Sequence, residues 1–163
     1  MLRQGFNATT VDQICAEAGV TKGSFFHHFD SKDAIGTAAV KAWGDFGGAL
    51  YAQAWVQPAE PLEEIHRLFD IMIGFTKRPD PCVCMVGMMS QEMSAEHSGF
   101  RDACVRELDI WTEMMRSRLA AAKKQLKPKT TFDPAAVAWY LNSLWQGSML
   151  IGKTRQSPEM IRS

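Results

Sequence analysis

Nothing in the 163 residues is a run of 18 or more apolar side chains, so the sequence offers no membrane-spanning helix. The opening Met1-Leu-Arg-Gln-Gly5 lacks the basic stretch and apolar core of a secretion signal. Cysteine is scarce, and its four positions (15, 82, 84 and 104) are irregularly spaced. That argues against a disulfide scaffold and for a reducing, cytoplasmic setting. Charge of one sign is also missing: 18 basic residues balance 18 acidic ones. A protein that lives on a phosphate backbone usually carries at least a local basic excess. The first 35 residues hold only Arg3, Lys22 and Lys32 against Asp12, Glu17, Asp30 and Asp33. Charge alone therefore gives no reason to expect a nucleic acid. No Gly-rich phosphate loop, His-Glu-x-x-His pair, paired-carboxylate motif or Ser/His/Asp constellation occurs either, so no enzyme chemistry is indicated and no cofactor is implied. Repeats and low-complexity segments are lacking as well.

What is present is helical. Apolar residues make up 46% of the chain and charged residues 22%, the proportions of a globular domain with a sizeable core. From Thr10 onward, Val11, Ile14, Cys15 and Ala18 fall on one helical face. Thr10 and Gln13 have capping-box spacing, and Gly19 supplies a left-handed stop. Thr21 is placed to cap a short second helix with Phe25, Phe26 and Phe29 as its apolar residues. Asp30 or Ser31 then starts a longer helix with Ile35, Ala38, Ala39, Ala42, Trp43 and Phe46 inward, ending before Pro58. Leu62, Ile65, Leu68, Phe69, Met72 and Ile73 make a further amphipathic stretch, closed by Pro79-Asp-Pro81. A short buried helix is expected within 83–93. A long one over 99–126 carries Phe100, Cys104, Leu108, Trp111, Met115 and Leu119 inward, with lysines at its negative end. The last, over 134–151, carries Val137, Leu141, Leu144 and Trp145. The fold class is all-α, with residues 1–50 as a three-helix head and 51–163 as a larger helical body.

Two short helices joined at Gly19, the second opening Thr21-Lys-Gly-Ser24, have the skeleton of a helix-turn-helix. In that device one helix braces a second, whose N-terminal residues meet base edges in the major groove. Gly23 allows close approach, Thr21 and Ser24 offer hydroxyls, and Lys22 offers charge. Free N–H groups at helix starts also bind phosphates, so few lysines are needed.

The stretch Gly5-Phe-Asn-Ala-Thr-Thr-Val-Asp-Gln-Ile-Cys-Ala-Glu-Ala-Gly-Val-Thr-Lys-Gly-Ser-Phe-Phe-His-His-Phe-Asp-Ser-Lys-Asp-Ala-Ile35 resembles the DNA-binding head of TetR-family repressors. The resemblance implies that Thr10 touches a phosphate, and that Lys22, Gly23 and Ser24 face the groove. Phe26 and His27, with His28 beside them, would lie along bases or backbone, and Lys32 would hold a phosphate. Phe26 stands where the family often has tyrosine, so a phenolic contact is missing. Phe25 and Phe29 would be head core. Family members carry a complete helix before the Gly-Phe pair; only four residues precede Gly5 here, so that first helix is largely missing from this sequence. A second likeness lies in Val83-Cys-Met-Val-Gly-Met-Met-Ser-Gln-Glu-Met-Ser94, which looks like a Gly-Cys-Leu…Glu stretch of one subgroup. Cys84 falls on its cysteine and Glu92 on its acidic residue, while Val83 replaces the glycine. The resemblance further implies a homodimer through the last two long helices, operator DNA as partner, and release by a small-molecule effector.

Ten methionines are generous for this length, and methionine-rich linings suit pockets for varied apolar ligands. Met72, Phe75, Cys84, Met88, Trp111, Met115 and Trp145 are the candidate ligand-binding residues, weighed against their simpler reading as core. Glu92 and His97 would anchor a ligand only if they point inward. Cys84 is alternatively a sensor of oxidants or electrophiles. Cys82-x-Cys84 with His97 and Cys104 matches no standard zinc spacing, and His27-His28 point to different helix faces, so no metal is expected. A helical bundle that binds small molecules without regulating anything is the remaining alternative.

Overall fold

The computed structural model describes residues 1–77, 83–129 and 131–162. Every regular element among them is helical, as expected. They are α1 (Val11–Ala18), α2 (Lys22–His28), α3 (Lys32–Tyr51), a 3-10 turn (Ala52–Trp55), α4 (Pro61–Phe75), α5 (Met85–Met93), α6 (Ser98–Leu126), α7 (Pro134–Arg155) and α8 (Glu159–Arg162). The Pro79-Asp-Pro81 breaker and Cys82 lie outside the described residues.

The chain forms two compact units, one of Met1–Gly44 with Met85–Glu107 and one of Asp45–Cys84 with Leu108–Ser163. In the first, Phe6 and Phe100 are both 1% exposed and meet edge to face, with ring centroids 4.9 Å apart. Such a pair adds roughly 0.5–1.5 kcal/mol beyond the area it buries. The α3 backbone comes so close to it that a Cβ on Gly36 would lie 2.5 Å from Phe6 Cε2 and 2.6 Å from Phe100 Cζ. This corrects the expected inner face of α3. Gly36 and Val40 are buried there, while Ala38, Ala42 and Phe46 are exposed. The contact is set by the absence of a side chain, which a search for large apolar residues overlooks.

The second unit is built on Ala54, Ile65, Leu68, Met72, Met115, Leu119 and Ala138, against which Tyr51, Trp55, Phe69, Trp111 and Trp145 pack. Asp133 caps α7 by accepting from the Ala135 and Ala136 amides, and Pro134 follows at the first helical position, where a missing N–H costs nothing. Leu144 was expected inward on α7 and is 56% exposed. Asn142 is buried instead, its Nδ2 donating to Thr112 Oγ1 at 2.8 Å and to Leu108 O at 3.3 Å. A polar side chain that satisfies a buried partner sets the face here, so apolar spacing alone misplaces it. At the end of the chain Arg162 donates to Thr76 Oγ1 and Thr76 O, both at 3.0 Å, and so caps the negative end of α4. Among the described residues, no helix is long and apolar enough to cross a membrane.

Candidate nucleic-acid interface

Helices α1 and α2 are delimited by short-range hydrogen bonds. Thr10 Oγ1 accepts from the Gln13 amide at 3.2 Å, and Gln13 Oε1 accepts from the Thr10 amide at 2.9 Å, a complete capping box. Gly19 ends α1 at φ +66°, a conformation that costs glycine nothing. Thr21 Oγ1 accepts from the Ser24 amide at 3.1 Å and starts α2. Ser31, not Asp30, begins α3, its Oγ accepting from the Ala34 amide. Of the α2 residues only Phe25 is buried, its ring against those of Phe26 and Phe29. Thr21, Lys22, Gly23, Ser24, Phe26, His27 and His28 are all exposed, so one apolar anchor carries a helix whose other faces are free. The imidazoles of His27 and His28 lie edge to face with centroids 5.0 Å apart, nearer than their successive positions suggested. No metal-competent group of three or more His, Cys, Asp or Glu is present among the described residues.

Lys22 pairs with Asp12 of α1 at 2.8 Å, and the hydrogen bond it donates to that carboxylate raises the lysine pKa above its usual value. Lys32, to which the resemblance assigns a phosphate, is turned inward. Its Nζ donates to Phe6 O at 3.0 Å, Asn7 O at 3.4 Å and Thr9 O at 2.9 Å, and lies 4.4 Å from the centre of the Phe6 ring. An ammonium has three donors, and all three are engaged. The amides of the same turn are held from the other side. Glu92 on α5 accepts from Phe6 N at 2.8 Å and from Asn7 N at 2.6 Å. Gly5 (φ +90°) leaves room for that carboxylate, since a Cβ there would be 2.8 Å from Glu92 Oε2. The turn leading to the two motif helices is thus gripped between a carboxylate and an ammonium.

The candidate ligand-binding residues divide. Met72 and Met115 are fully buried in the core of the second unit, with Trp111 and Trp145 packed on it. Phe75 meets the Phe46 ring at 6.3 Å. Cys84 is half-buried and accepts from Gln146 Nε2 at 3.6 Å. Met88 belongs to the first unit.

Comparison with known proteins bears on this arrangement directly. Residues 1–39 match the model of bacterial regulatory proteins of the tetR family, and residues 61–163 match the tetracyclin repressor-like C-terminal domain. The chain belongs to the TetR family. Its relatives include the transcriptional regulator AcuR of Cereibacter sphaeroides, 30% identical over the whole chain and 75% of that protein. The HTH-type transcriptional repressor DhaR of a Mycobacterium species is 24% identical over 97% of the chain and 79% of its own length. Among solved structures, the regulatory protein TetR from Rhodobacter sphaeroides superposes with a TM-score of 0.89 at 27% identity, covering 99% of this chain and 86% of that one.

In the first unit of this TetR-family protein, sequence reasoning misses the role of Glu92. It falls on the acidic position of the resemblance, yet its two partners are backbone amides some 85 residues earlier, at positions carrying no chemical signature. The available signal is the pair of Gly5, which leaves room, and Glu92, the one acidic residue of α5.

Proposed function

We propose that this protein is a ligand-responsive transcriptional repressor that acts in the cytoplasm, not an enzyme. In this reading residues 1–50 bind operator DNA and residues 51–163 bind an effector and dimerise. The observation that carries it is α2 itself: a capped helix held by Phe25, with Thr21, Lys22, Gly23, Ser24, Phe26, His27 and His28 open to a groove. Thr10 and the free amides at the start of α1 would meet a phosphate. Dimerisation is supported by one exposed stripe of α7, formed by Trp139, Tyr140, Leu144, Leu150 and Ile151. Two copies joined through α6 and α7 would bury it as a four-helix bundle. The two-fold axis would set the reading helices about one DNA turn apart, roughly 34–36 Å. A small, largely apolar molecule in the body releases the DNA to the extent that it favours another spacing. The thiol-sensor alternative has no observation in its favour beyond a half-buried Cys84.

The test is titration of the DNA flanking the gene at two salt concentrations. It uses the chain alone and the chain lengthened at its N-terminus by the helix that the resemblance expects. Site-selective binding with a steep salt dependence supports the reading; binding without site preference at physiological salt removes it.

A further inference from the structure

Trp111 stands on α6 among the aromatic and methionine side chains that pack the second unit. Its indole Nε1 is buried and has no hydrogen-bond partner among the described residues. Buried donors are nearly always satisfied, because leaving one unpaired sacrifices its hydration for nothing. A phenylalanine would fill the same place without that loss. Tyr51 packs against the same core. Burial, with Cys84 adding to it, pushes the Tyr51 hydroxyl pKa up, so this phenol stays a neutral donor.

Charge narrows the choice of ligand. The half-buried cations on the same helix are Arg116, Arg118 and Lys123, and Lys123 donates to Phe132 O and lies over the Phe132 ring. Arg118 is two turns beyond Trp111. It stands 3.0 Å from Glu64 Oε2 and lies over the Trp55 ring at 4.7 Å. Its charge is therefore already balanced, although its Nε–H is not aligned for a hydrogen bond. Arg67 pairs with Glu63, Arg116 with Glu113, and Arg162 is committed to Thr76. A carboxylate beside Trp111 would find these cations already engaged, and burying an unpaired charge is strongly unfavourable.

We propose that the interior of the second unit binds a small apolar molecule bearing one uncharged hydrogen-bond acceptor, such as a carbonyl oxygen, and that Trp111 Nε1 is the donor that recognises it. This rests on the effector-binding reading above and names the chemical class of the effector. It assigns Trp111 a role in selectivity, because a hydrocarbon of the same shape would leave the indole N–H unpaired in the complex as well.

The experiment uses three probes on the whole chain: acetophenone, its hydrocarbon isostere isopropenylbenzene, and benzoate. Affinities are measured calorimetrically, and the tryptophan indole N–H resonances are followed by NMR, with Trp111→Phe assigning its own signal. Acetophenone is expected to bind about tenfold more tightly than isopropenylbenzene, the value of one hydrogen bond. It should also bind more tightly than benzoate, and it should move the Trp111 resonance downfield. Trp111→Phe should bind the two neutral probes within about twofold of each other. Equal binding by the native chain, no binding of any probe, preference for benzoate, or discrimination that survives in Trp111→Phe would each overturn the proposal. If the variant fails to fold, the native indole signal decides, and a resonance unmoved by saturating acetophenone overturns it. The regulatory reading fails separately. Acetophenone selectivity without any DNA binding would keep this site and remove that reading, whereas DNA binding without selectivity would do the reverse.

Discussion

The two units solve opposite problems with different side chains. In the first, the turn before the motif helices is fixed by atoms with no freedom to adapt: two backbone amides on Glu92, three carbonyls on Lys32, and a helix backbone pressed against Phe6 and Phe100. In the second, Met72, Met115, Trp111 and Trp145 meet through packing, and an indole donor is left over. Reading a groove of fixed geometry requires helices held in a single arrangement. Accepting a ligand requires polarizable, adaptable walls and a donor kept in reserve. The difference teaches that rigidity here comes from backbone-level bonds and from missing side chains, not from a larger apolar core.

The sharpest way to break this comparison is to add a side chain in each unit. Gly36→Val places methyl groups inside the Phe6–Phe100 contact and is expected to destabilise the protein by about 3 kcal/mol or more. Gly74→Ala in α4 meets nothing within 4 Å and should gain roughly 0.5–1 kcal/mol through helix propensity. Urea unfolding of both variants checks the pair, and equal losses at the two sites would remove the distinction between the units.

Next in size is the grip on the turn. Glu92→Gln keeps the shape and one carbonyl acceptor, so one hydrogen bond survives without its charge and the other is lost, an NH2 group facing a backbone N–H. The expected cost is about 1.5–3 kcal/mol, reduced to the extent that water reaches this half-buried group. Amide hydrogen exchange should localise the effect, with Phe6 and Asn7 losing protection while Met115 and its neighbours keep theirs. A loss spread evenly over both units would mean that the carboxylate supports the whole fold and not this turn.

How far these features could be read in advance follows the same division. The caps at Thr10, Gly19 and Thr21 were legible because each depends on residues three or four apart, and local hydrogen bonding decides the outcome. The exposed row on α2 was legible through the same spacing and through the resemblance. The faces of α3 and α7 were not, because Gly36 and Asn142 are buried for what approaches them from distant segments, Phe100 in one case and Thr112 in the other. Lys32 illustrates the limit most plainly. Its position marks it for a phosphate, yet three carbonyls of a turn more than twenty residues earlier take its donors. Spacing along one helix cannot reveal a partner supplied by another part of the chain.

The smallest expected effect on the fold is the one most informative about function. Lys22 and Asp12 are both well exposed, and solvent screens such a pair to nearly nothing. Asp12 raises the lysine pKa, so whatever the pair contributes is fully present below the ordinary value of 10.5 and fades as pH rises through the raised one. Between pH 6 and 9 Lys22→Met should therefore leave the unfolding midpoint unchanged. On DNA the same change removes one cation from the start of the reading helix. Affinity should fall across all sequences, and the slope of log K against log salt should drop by about one. A clear stability loss in that pH range would show that the pair braces α1 against α2. An unchanged salt slope would show that Lys22 stays with Asp12 in the complex, leaving hydroxyls and helix N-termini to hold the phosphates.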